Sequence, residues 1–235
     1  MKKTPLILIL AATLLLSQCS EKATFDSDEI VLIDVTDSMA LKPTLQDALA
    51  PLNLQNNQFH GVCISLSTIN DKDVNPYAVL TLPSQNALTS NKLERQGQIE
   101  EFTADLKHKL DTMSFKKGSK HSVVYNAIAR ACNELAASGA QHLNCLIFSD
   151  LRENSALSFY KSSTIDSLQK HPESIESRLN QTTPLPNLRG LNVYLEYQPR
   201  SYADNEQYMI IARFFKHLME KHGATVKITN NISAP

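Results

Sequence analysis

The stretch Ile30-Val31-Leu32-Ile33-Asp34-Val35-Thr36-Asp37-Ser38 decides the fold. Four apolar residues in succession, without alternation, mark a strand covered on both faces. Such strands belong to parallel sheets sandwiched between helices. The run stops at a carboxylate and continues in short polar residues. A buried strand therefore ends in a tip rich in oxygen donors.

The rest of the chain is read outward from that strand. Met39 to Leu49 has helical spacing, and Pro51 stops it. Phe59 to Ile69 and Tyr77 to Leu82 are strand-like and are joined by Asn70-Asp71-Lys72-Asp73, which is turn chemistry, so a hairpin is predicted. Ile99, Phe102, Leu106, Leu110 and Met113 recur at helical intervals. So do Val124, Ala127, Ile128, Ala131, Cys132 and Leu135, with Gly139 where a helix stop belongs. Leu143 to Phe148 is a second buried strand, running into Ser149-Asp150.

Helix is expected around Ala156 to Gln169 and around Glu173 to Asn180, then a loop marked by Pro184 and Pro186. Leu191 to Tyr197 alternates like a less buried strand. Tyr208 to Lys221 reads as a helix with Ile211, Phe214, Phe215 and Leu218 inward. Gly223 ends it, and Thr225 to Thr229 is a last strand. Strands alternating with helices predict an α/β fold: an open, mostly parallel, doubly wound, Rossmann-like sheet with one antiparallel edge strand. A single domain over residues 29–230 accommodates all of it.

The N-terminus is set apart. Lys2 and Lys3 precede Leu6 to Leu16, a run apolar except for Thr13. As a helix that run would rise about 16 Å, about half of a hydrocarbon core, which suits a signal peptide over residues 1–18 rather than a membrane span. Leu16-Ser17-Gln18-Cys19 follows it and resembles the lipobox of bacterial lipoproteins, although Gln18 stands where that family has a small residue. The resemblance implies that Cys19 is acylated and becomes the mature N-terminus. Residues 19–28 would then tether the domain to a bacterial envelope membrane, on its periplasmic or surface face. The alternative is an ordinary secretory signal with an incidental cysteine.

Composition narrows the function classes. The chain has 235 residues, 42% hydrophobic and 20% charged, with 6 Gly and a net charge of -1, so it has material for a core and is neither collagen-like nor dominantly disordered. It shows no block of basic residues, hence no footprint for nucleic acid. Cys63, Cys132 and Cys145, an odd number once Cys19 is set aside, each sit in an apolar run. They read as buried small hydrophobes rather than a disulfide framework or a zinc site.

In open α/β sheets, sites form beyond the carboxyl ends of strands where the strand order reverses. Two buried strands end in Asp34-Val35-Thr36-Asp37-Ser38 and in Ser149-Asp150, and Gly118-Ser119-Lys120-His121-Ser122 opens a helix. Asp34-x-Thr36-x-Ser38 after an apolar strand resembles the first motif of the von Willebrand factor A domain, the Asp-x-Ser/Thr-x-Ser of its metal-ion-dependent adhesion site (MIDAS). Ser122-Val-Val-Tyr-Asn-Ala-Ile128 resembles that family's Thr-Asn-Leu-Tyr-Asp-Ala-Leu. Asp150 matches the Asp ending its fourth strand.

The resemblance implies a site lined by Asp34, Thr36, Ser38, Ser122 and Asp150, with Ser119 the competing candidate for the loop position. Mg2+, or Mn2+ or Ca2+, would be the ion, since carboxylates and hydroxyls are hard oxygen ligands. The implied partner is a protein ligand whose Asp or Glu replaces a metal-bound water, in adhesion or complex assembly and without catalysis.

Other readings stand beside this one. Asp37 or Ser38 caps the following helix and Asp150 is a turn residue. Alternatively, the fold carries a metal-free site and serves as a scaffold in an envelope assembly. Strand-Asp34-x-Thr36 is also near the first motif of haloacid dehalogenase-like phosphatases, but those enzymes want a second Asp where Thr36 stands. Gly118-Ser119-Lys120 lacks the spaced upstream glycine of a phosphate loop. His121 reads as a surface or capping residue.

Overall fold

The structure is a computed structural model and describes residues 25–36, 41–71, 75–113 and 121–232. The leader, Cys19, Asp37, Ser38, Ser119 and most of the turn before Asn75 lie outside the described residues. Strands β1 (Ser27–Asp34), β2 (Val62–Ile69), β3 (Pro76–Leu82), β4 (His142–Phe148), β5 (Leu191–Glu196) and β6 (Thr225–Thr229) form one sheet in the order β3-β2-β1-β4-β5-β6. All neighbours are parallel except β2 and β3, so the hairpin supplies one antiparallel edge strand. The fold is α/β, doubly wound and Rossmann-like, and its topology is consistent with a von Willebrand factor A-like fold.

The unbroken apolar run in β1 follows from its place. Ile30 and Leu32 face a core shared with α3 (Val124–Ser138), α4 (Ser162–Lys170), α5 (Pro172–Asn180) and α6 (Tyr202–Lys221). Val31 and Ile33 face a second core shared with α1 (Leu45–Leu49) and α2 (Lys92–Thr112). Consecutive side chains point to opposite faces, and here both faces are dry. β4 repeats the arrangement, with Cys145 and Ile147 on the α3 side and Leu146 and Phe148 on the α2 side. Cys132 and Cys145 are buried and Cys63 is half-buried; none forms a disulfide.

Several boundaries differ from the sequence reading, each for a local reason. The helix expected from Met39 begins only at Leu45. Pro43 pushes Lys42 away from helical geometry, and Thr44 then caps the helix in a reciprocal box with Asp47. Thr44 is thus the cap of this helix, while Asp37 and Ser38 lie outside the described residues. α2 starts earlier than its apolar spacing, because Asn91 accepts the Leu93 N–H and nucleates a polar first turn. α6 likewise begins at Tyr202, capped by Ser201 onto Asp204. α4 begins at Ser162 rather than Ala156, because the preceding loop is held in small β-bridges. α3 ends at Gly139, whose φ of +80° suits a residue without Cβ.

The packed unit also reaches past residues 29–230. Ser27 is paired with Val62 and with His142. At the other end, Ile232 is buried and donates its N–H to Glu196 Oε2.

Candidate functional site

β1 lies between β2 and β4, both parallel to it, so Asp34 and Ser149 leave the sheet at the same rim. The chain first winds from β1 toward β2 and β3, then returns to β4 on the other side. That reversal of strand order falls at the carboxyl ends of β1 and β4, the usual place for a ligand in this architecture.

Asp34 is 2% exposed, and both carboxylate oxygens are engaged. Oδ1 accepts from the Thr36 N–H at 2.9 Å and from Thr36 Oγ1 at 2.6 Å. Oδ2 accepts from Ser149 Oγ at 2.7 Å. Thr36 Oγ1 also lies 3.4 Å from Ser122 Oγ, 86 residues away in sequence. The fold thus brings Asp34, Thr36, Ser122 and Ser149 into one hydrogen-bonded group.

Ser122 is held from several sides. It exchanges both backbone hydrogen bonds with Asn154, and the next N–H, that of Val123, donates to the Asn70 carbonyl at the end of β2. The N-cap of α3, Val123, has no side chain able to cap. Glu153 takes over: its buried carboxylate accepts the Tyr125 N–H at 2.8 Å. Burial raises the Glu153 proton affinity, and the charge of Asp34 adds to it, against hydrogen bonds from Ser155 and from the Tyr125 and Val124 N–H groups. The loop after β4 therefore fixes both the start of α3 and the position of Ser122.

Asp150 behaves differently from Asp34. Its Oδ1 accepts the Arg152 backbone N–H at 2.9 Å, and its Oδ2 faces Arg152 Nε at 3.8 Å. Between them Leu151 adopts a left-handed φ of 59°, anchored by its own buried side chain and by its N–H on Ser149 Oγ. The Arg152 guanidinium runs on to Asp204 Oδ1 at 2.8 Å and Gln207 Oε1 at 2.7 Å, across the ring of Tyr160. Burial works to raise the Asp204 proton affinity. Hydrogen bonds from the Arg200 N–H and Tyr197 OH, with the Arg152 and Arg200 charges, outweigh it and hold the carboxyl below its ordinary value.

Asp34, Thr36 and Ser122 thus offer one carboxylate and two hydroxyls, hard oxygen donors of the kind Mg2+, Mn2+ or Ca2+ accepts. Asp150 stands at the adjoining strand tip with a cationic neighbour. Ser38 and Ser119 lie outside the described residues. Among the described residues, no group of three or more His, Cys, Asp or Glu side chains is gathered to hold a metal. Sequence reasoning placed Ser149 at a strand tip without giving it a role, and passed over Arg152 and Glu153. A serine, an arginine and a glutamate after a strand look like solvated loop residues, and nothing in their spacing signals burial.

No family model matches the chain, and no curated protein matches it. Among solved structures it is similar to an aerotolerance-related membrane protein from Bacteroides fragilis bearing multiple mutations to serine. That match has 13% identity and a TM-score of 0.37, over 88% of this chain and 93% of that one. It is also similar to proximal thread matrix protein 1 from the mussel byssus, at 12% identity and a TM-score of 0.32, over 90% of this chain and 44% of that one. A human COPII-coat protein matches at 14% identity and a TM-score of 0.37, over 88% of this chain and 30% of that one. Likenesses at this level carry no assignment. No helix among the described residues is long and apolar enough to cross a membrane.

Proposed function

We propose that the chain is an envelope lipoprotein, anchored through Cys19, whose von Willebrand factor A-like domain binds a divalent cation and, through it, a carboxylate of a protein ligand. The observation that carries this reading is the meeting of Asp34, Thr36 and Ser122 at the switch point of the sheet, from segments distant in sequence. The donor chemistry fits a hard cation: Thr36 and Ser122 supply neutral oxygens, and Asp34 supplies charge, with Ser38 and Asp150 completing the set. Such an ion, bound mainly by neutral oxygens, stays electrophilic and accepts an outside Asp or Glu. Catalysis is not part of the proposal. A nucleophilic role for Asp34 would need a second Asp two positions on, where Thr36 stands.

The test is calorimetry with Mg2+, Mn2+ and Ca2+ on the mature chain from Cys19 in detergent. Binding is expected with the native chain and is expected to be lost on Asp34→Ala and weakened on Asp150→Ala. Unchanged binding in both variants places the ion elsewhere. The anchor is tested separately: Cys19→Ala is expected to abolish incorporation of labelled fatty acid and release the chain from membranes.

A second reading, a metal-independent scaffold, is favoured by the contact of Arg152 with Asp150, which already supplies a cation there. Pull-downs with and without chelator separate the two. A partner retained in chelator supports the scaffold.

A further inference from the structure

We propose that Arg152 is an internal competitor of the divalent cation for Asp150, and that Asp204 sets how strongly it competes. The inference rests on the metal-binding reading above and concerns residues that the adhesion-site motif does not include.

Arg152 is permanently charged. Its side chain is 17% exposed and sits between two carboxylates, Asp150 at 9% and Asp204 at 13%. The two contacts are unequal. Toward Asp204 the guanidinium makes a full hydrogen bond at 2.8 Å, supported by Gln207 at 2.7 Å. Toward Asp150 it presents Nε at 3.8 Å, beyond hydrogen-bond length, and this buried nitrogen has no hydrogen-bond partner among the described residues. Tyr160 lies across the guanidinium plane, 5.6 Å from it.

Arg152 is thus drawn toward α6 while keeping an unmatched N–H beside Asp150. A second cation on Asp150 meets its repulsion at short range, in a poorly solvated setting where charges are weakly screened. Removing the negative charge of Asp204 frees Arg152 to close on Asp150. Removing the Arg152 guanidinium takes its charge away from Asp150 Oδ2 and ends that competition. The arrangement ties ion affinity to the first turn of α6, where Asp204 also receives the Tyr197 hydroxyl and the Arg200 N–H.

The experiment is calorimetric titration of the mature chain from Cys19 in detergent with MgCl2 and with MnCl2. It compares the native chain, Arg152→Gln, Arg152→Lys and Asp204→Asn, each shown folded by its circular dichroism melt. Arg152→Gln is expected to bind roughly tenfold more tightly and Asp204→Asn several-fold more weakly, with Arg152→Lys near native. The opposite signs matter, because simple loosening of the α6 contact would weaken both. An ion bound by Arg152→Gln but not by the native chain also supports the proposal. Equal affinities throughout, or a shift of the same sign in Arg152→Gln and Asp204→Asn, overturns it while leaving the metal site standing. Silence in every chain overturns the metal reading and this inference with it.

Discussion

Arg95→Met is expected to lower the stability of the fold by about 3–5 kcal/mol in urea or thermal denaturation, the largest loss anticipated for a single substitution away from the candidate site. Arg95 lies in the first turn of α2 yet is 0% exposed. Its guanidinium donates to three backbone carbonyls: Gln58 at 2.6 Å, His60 at 2.7 Å and Pro83 at 2.8 Å. A fourth contact goes to Gln98 Oε1 at 3.2 Å. One planar fork thus ties the loop before β2, the end of β3 and the start of α2. Burial, which takes the charge out of water, pulls its pKa down. Methionine fills part of the volume but leaves the carbonyls without donors. Lysine, with a single donor point, is expected to recover less than half of the loss. A measured loss under about 1 kcal/mol would show that the fork does not carry these loops.

The second large effect has the opposite sign. Glu29→Met is expected to stabilise the fold by about 1–3 kcal/mol at neutral pH and above. Glu29 is 0% exposed, and neither carboxyl oxygen has a hydrogen-bond partner among the described residues. It shares its strand face with Val31 and Ile33, toward the α2 core. Burial first, and the neighbouring Asp28 charge second, raise its proton affinity well above the ordinary 4.5. The sign follows by linkage. The fold favours protonated Glu29, so this residue's contribution is fully present below about 4.5 and is lost as pH rises through the raised folded value. Thermal melts across that range should show the native chain losing stability with rising pH and Glu29→Met losing less. Parallel melting curves for the two chains would sink this account.

These two residues show where sequence and structure part. The apolar run from Ile30 to Ile33 announced a doubly covered strand, and the period of α3 announced its buried face; both follow from local periodicity that side chains impose on any dry interface. Helix starts were harder to read. A cap such as Asn91 or Ser201 acts through one backbone hydrogen bond, and the polar turn after it carries no apolar stripe. The spacing from Met39 to Leu49 ran across Pro43, a breaker that holds the helix start back to Leu45. Glu29 disguised the first residues of β1 as tether, because pairing with β2 and β4 runs through the backbone and leaves no mark on side-chain polarity.

At the candidate site, the spacing of Asp34, Thr36 and Ser38, with Ser122 and Asp150 on later elements, marked oxygen donors bound for one rim. The meeting of Asp34, Thr36 and Ser122 is consistent with that pattern. Arg152 and Glu153 carried no such signal. The sequence by itself determined the layered α/β architecture and which strand tips bear carboxylate and hydroxyl oxygens, because periodicity and strand-end chemistry are local properties. Only the tertiary structure decided that Glu153 caps α3, that Arg95 and Glu29 are buried, and that Asp150 and Asp204 flank the same Arg152 guanidinium. Charged side chains look alike in sequence, and their roles depend on which distant neighbours remove them from water.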